Sequence, residues 1–64
     1  MPKTDVVVKL TGENGNIYSL LGTVSKALKK AGYREEAEEM TTKVFACASY
    51  NKALNIFQEY VEVT

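Results

Sequence analysis

Residues 5–21 read DVVVKLTGENGNIYSLL, and the rhythm of apolar residues changes partway through this stretch. Val6, Val7, Val8 and Leu10 form a short β-branched run that stops at Thr11 and Gly12. It is too short for a stable helix and is bounded by a glycine loop, so a strand is expected over about 5–10. Three valines in a row break strict alternation, which predicts cover on both faces. From Ile17 the period becomes helical: Ile17, Leu20, Leu21, Val24, Leu28 and Ala31 fall on one stripe, with Lys26, Lys29 and Lys30 opposite it or at its margin. Asn16 suits the N-cap and Gly32 the left-handed C′ position, after which Tyr33 folds back on Leu28. A helix is expected over about 17–31.

A second stripe follows in Ala37, Met40, Thr41, Val44, Phe45 and Ala48, predicting a helix over about 34–47. Glu35 and Glu36 sit in its first turn, where carboxylates complement the helix dipole, and Glu39 precedes Lys43 in the favourable i,i+4 order. The linker around Gly32 is short, so the two helices should pack as an antiparallel hairpin. Ser49 is a cap for a third helix over about 50–60, with Ala53, Leu54, Phe57, Tyr60 and Val61 on one side. The pattern leaves open whether the second helix runs on into the third. It also leaves open whether residues 61–64, VEVT, are a strand or a helix tail. A strand there would pair with Val6 to Leu10, in the same chain or in a second copy. The expected fold is mostly helical α+β: an N-terminal strand, a helical hairpin, a third helix and a short C-terminal extended segment.

Length and composition limit the function. A chain of 64 residues is expected to be one small domain of marginal stability, since it buries roughly 60% of its unfolded surface. Lys+Arg and Asp+Glu both number 8, giving a formal net charge of zero. That disfavours general binding to nucleic acid or membrane surfaces, which draws on excess positive charge, and leaves little repulsion against self-association. The chain has no His and one cysteine, Cys47, so neither an internal disulfide nor a structural zinc site is expected. A lone thiol fits a reducing compartment, and no signal peptide or membrane span is legible, so a cytoplasmic protein is expected.

The loop between strand and first helix, TGENGN, resembles a phosphate-gripping loop only in topology. No lysine follows Gly15, no dinucleotide fingerprint is present, and Glu13 would repel a phosphate. The Gly12-to-Gly15 spacing matches the GxxG of KH domains, but there the loop joins two helices and carries basic residues. A plain connection, with Asn14 and Gly15 supplying positive φ, is the stronger reading. Lys26, Lys29, Lys30 and Arg34 form the basic cluster and are the candidate nucleic-acid contact. Cations at a helix C-terminus, next to the acidic run from Glu35 to Glu39, account for them without a ligand. Tyr18, Tyr33, Tyr50 and Tyr60 are read as core-edge residues with their hydroxyls in water.

Catalysis has little to work with. No imidazole is present to act as a base near neutral pH, Ser19, Ser25 and Ser49 lack a triad partner, and Cys47 lacks a sequence neighbour that would activate it. No catalytic residue, cofactor or metal is expected, and the chain is read as a non-enzyme.

The segments VVVKLTGENGNIYSLLG, KALKKAG and EYVEV give the whole chain a resemblance to a group of small, uncharacterised bacterial and prophage-encoded one-domain proteins. No activity is attached to that group, so the resemblance implies a complete bacterial or phage cytoplasmic domain and no transferable site. The resulting expectation is a protein–protein interaction or regulatory module acting as a homodimer. Its copies would pair strands or bury Val6, Val8, Phe57, Tyr60 and Val61 between them. The alternative is a nucleic-acid accessory protein using the basic cluster.

Overall fold

The computed structural model describes residues 2–10 and 16–64, so the glycine-loop reading at Gly12 and Gly15 lies outside the described residues. Three helices, α1 (Ile17–Lys30), α2 (Arg34–Cys47) and α3 (Tyr50–Tyr60), are flanked by strands β1 (Val7–Val8) and β2 (Glu62–Val63). The architecture is the expected mostly helical α+β fold. Residues 61–64 leave the helix, and the second and third helices are separate.

Each helix boundary has a local cause. Asn16 Oδ1 accepts from the Tyr18 amide at 2.8 Å, and Ser49 Oγ accepts from the Lys52 amide at 3.3 Å, so α1 and α3 both begin on side-chain caps. At the end of α1, Gly32 takes φ of 93°, and the Tyr33 amide donates to Leu28 O at 2.8 Å. That pair is a Schellman turn, and it reverses the chain into α2. The exit from α2 uses Ala48 in the left-handed conformation, φ 53° and ψ 26°, where a residue with a Cβ is strained. The turn of the first hairpin and the Tyr18–Phe45 ring contact at its other end, 5.8 Å between centroids, make α1 and α2 antiparallel.

β1 and β2 pair in parallel, Val7 opposite Glu62 and Val8 opposite Val63. The Glu62 amide donates to Val6 O, the Thr64 amide to Val8 O and the Leu10 amide to Thr64 O, at 2.8, 3.0 and 3.3 Å. The two ends of the chain therefore close the fold together. Just before β1, the Lys3 amide donates to Glu59 O at 2.8 Å and the Thr4 amide to Tyr60 O at 3.2 Å. Buried Thr4 adds an Oγ1 bond to the same Tyr60 carbonyl at 2.6 Å. Carbonyls at a helix C-terminus lack intrahelical partners, and this strap supplies them for α3.

The core runs between the three helices and the inner face of the sheet. Leu20, Leu21, Val24 and Leu28 meet Ala37, Met40 and Val44, closed by Ala53, Phe57, Tyr60, Val61 and Val8. Four expectations need correction. Val8, Phe57, Tyr60 and Val61, assigned to a contact between copies, are buried in the chain's own core, and Val6 is half-buried against it. Their side chains are therefore spent, wholly or for Val6 in part, on packing within one subunit. The valine run is covered on one face only, since Val7 is 56% exposed beside buried Val8. Tyr60 is fully buried, with its hydroxyl on a carboxylate instead of water. Finally, Phe45, placed in the apolar stripe of α2, is exposed, as are Ala31 and Ala48 at the stripe ends.

Candidate functional site

The antiparallel hairpin gives the molecule two unlike ends. One end gathers the start of α1, the end of α2 and the start of α3, and there Tyr18, Phe45 and Tyr50 are 63%, 62% and 45% exposed. Tyr18 and Phe45 lie with their rings tilted by 33°, a packed pair left open to solvent. Together with Tyr50 they border an open groove of about 220 Å³ floored by Ile17, Val44 and Ala53. No charged side chain lines it among the described residues. Phe45 lies one residue beyond buried Val44, about 100° further around α2, and that step carries its ring out of the core.

Cys47 also lines the groove and is half-buried. Its Sγ lies 3.1 Å from Val44 O and 3.4 Å from Ser49 O, so the thiol proton is directed into the protein's own backbone.

The other end carries Lys26, Lys29, Lys30 and Arg34, all exposed, at the close of α1 and the opening of α2. None forms an ion pair among the described residues. Lys29 and Lys30 occupy the last turn of α1, and Glu35 and Glu36 the first turn of α2, each where the helix dipole favours it. Signs alternate over a short distance here, which keeps the local field small.

A polar cluster that sequence spacing did not reveal surrounds Tyr60. Its hydroxyl donates to Glu39 Oε1, which also accepts from Lys3 Nζ at 2.9 Å and faces Lys43 Nζ at 3.7 Å. Lys43 reaches Glu59 at 3.8 Å, and the Lys3 and Lys43 ammonium groups stand 5.0 and 5.3 Å from the Tyr60 ring centroid. The Tyr60 hydroxyl and the two lysines hold the Glu39 carboxyl at about 2, well below its ordinary value. A carboxylate that acidic stays ionised at neutral pH and is a poor proton shuttle, so the cluster reads as a brace. Only its Glu39–Lys43 pair was legible from spacing.

Among the described residues no group of His, Cys, Asp or Glu is arranged to hold a metal, and no helix is long and apolar enough to cross a membrane. No protein-family model, no curated protein and no solved structure matches the chain.

Proposed function

We propose that this chain is a non-enzymatic protein–protein interaction module, working as a homodimer, whose aromatic end takes an uncharged apolar segment of another protein. The observation that carries this reading is the exposure of Tyr18, Phe45 and Tyr50 around a groove with no charged lining among the described residues. A large exposed aromatic cluster on a small chain is costly in water, and aromatic residues with polar tips are what interface centres use. An uncharged segment suits the described lining, Ile17, Val44, Phe45 and Ala53, whereas a charged one would lose water there without gaining a counterion from these residues.

The test is selection of random peptides on the immobilised chain, with counter-selection on Phe45→Ser. Supporting peptides are uncharged, rich in apolar residues, and at least tenfold weaker on the variant, about 1.4 kcal/mol. A charged consensus, no enrichment, or binding indifferent to Phe45 would contradict the reading.

A further inference from the structure

We infer that two copies of this chain join by antiparallel pairing of the outer edges of β1, about a twofold axis at Val7. The inference rests on the dimeric reading above and supplies its contact. Val6 and Val8 accept from the β2 segment through their carbonyls, and Leu10 donates to it through its amide. Main-chain groups of successive strand residues point to opposite edges, so those of Val7 and Lys9 face away from β2. Among the described residues, no hydrogen bond uses the main-chain N–H or C=O of Val7 or Lys9. Unspent groups along an edge are a template for another strand, and a two-stranded ribbon is the sheet that gains most from one.

The side chains specify the occupant. Asp5, Val7 and Lys9 are all exposed, while Val8 between them is buried on the opposite face. When β1 pairs with a second copy of itself about Val7, residues equally spaced before and after that position meet. Val7 faces Val7, Asp5 faces Lys9 of the second copy, and Lys9 faces Asp5. Directly opposed unlike charges and β-branched pairs stabilise a ladder, whereas like charges in those places disrupt it. The run DVVVK is therefore charge-complementary to itself in this register. The Tyr33 hydroxyl donates to Asp5 Oδ1 at 3.0 Å, which steadies the carboxylate at the surface and leaves Oδ2 for a lysine. The product is a four-stranded sheet in the order β2-β1-β1-β2. The contact is isologous, so it closes after two copies. Tyr18, Phe45 and Tyr50 lie on no strand and stay outside it.

The experiment is sedimentation equilibrium of the full chain between about 5 μM and about 1 mM, with helix content followed by circular dichroism. Four variants are compared: Asp5→Lys, Lys9→Asp, the double exchange, and Val7→Pro. Val7→Pro removes an amide that points away from β2, so the chain's own ladder keeps its bonds. The expected result is a concentration-dependent dimer, weakened at least tenfold by either single charge reversal and restored to within about threefold by the double exchange. Val7→Pro should leave a folded monomer; if it unfolds, the charge cycle alone decides. A dimer broken by Val7→Pro but indifferent to the charge cycle overturns the register. Single reversals that weaken the dimer without rescue overturn the Asp5–Lys9 pairing. A wild-type dimer that no variant weakens overturns the edge contact and leaves the dimeric reading standing. A wild-type monomer across the whole range overturns both.

Discussion

The Tyr60 hydroxyl donates to Glu39 Oε1, tying the last turn of α3 to the middle of α2 through a ring that is otherwise fully buried. Lys3 and Lys43 complete the cluster from the N-terminal strap and from the next turn of α2. One carboxylate thus holds together the segments that close the fold.

That arrangement gives stability an acid limb. The folded-state Glu39 value of about 2 lies below the ordinary 4.5, so its contribution is fully present above about pH 4.5 and is lost as pH falls toward 2. Urea midpoints measured across that window should decline, and the decline should shrink in Glu39→Gln. Tyr60→Phe should also flatten it, since the Tyr60 hydroxyl is the largest cause of the depression. An unchanged slope in both variants would show that the bond is not formed.

The alkaline side has the opposite sign. Lys3 is raised by its bond to Glu39, Lys43 by Tyr60, and the Tyr33 hydroxyl by its bond to Asp5. A raised folded value contributes stability present below the unfolded value and lost as pH rises through the folded one. Midpoints should therefore fall above about pH 10, and Lys3→Met should lessen the fall.

Ala48 and Gly32 form a reciprocal pair of predictions about the two helix exits. Ala48 holds φ of 53°, so Ala48→Gly should relieve strain and raise stability by about 0.5–1 kcal/mol. Gly32 holds φ of 93° with nothing within 4 Å of an added Cβ, so Gly32→Ala should cost about 1–2 kcal/mol through backbone conformation alone. Denaturant titration of both variants checks the signs.

Phe57 and Phe45 should separate stability from binding. Phe57 is fully buried, and Phe57→Ala should cost about 3–5 kcal/mol, enough to unfold much of a chain this short. Phe45 is 62% exposed, so Phe45→Ser should change stability by no more than about 0.5 kcal/mol. Thermal melts of the two variants distinguish a core residue from a surface one.

Much of the fold could be read from apolar period and caps. Leu20, Leu21, Val24 and Leu28 announced α1, Gly32 its reversal, and Ser49 the start of α3, because these signals act within a turn of where they appear. Tertiary placement was less legible. Val61, Phe57 and Tyr60 looked like surplus surface because the closing parallel pair and the Thr4 strap depend on contacts between residues more than fifty positions apart. Ala48 gave no warning, since alanine is a poor left-handed residue and nothing in its local sequence marks the position. The aromatic end was hidden for a similar reason. Tyr18, Phe45 and Tyr50 are scattered in sequence and meet only once the hairpin and the third helix have packed.

The most direct measurement of the central claim is an amide and aromatic chemical-shift map of the labelled chain as a selected uncharged peptide is added. Saturable shifts should centre on Tyr18, Phe45 and Tyr50, with Lys26, Lys29, Lys30 and Arg34 at the far end unmoved. Shifts centred on those cations, with the aromatic end silent, would contradict it.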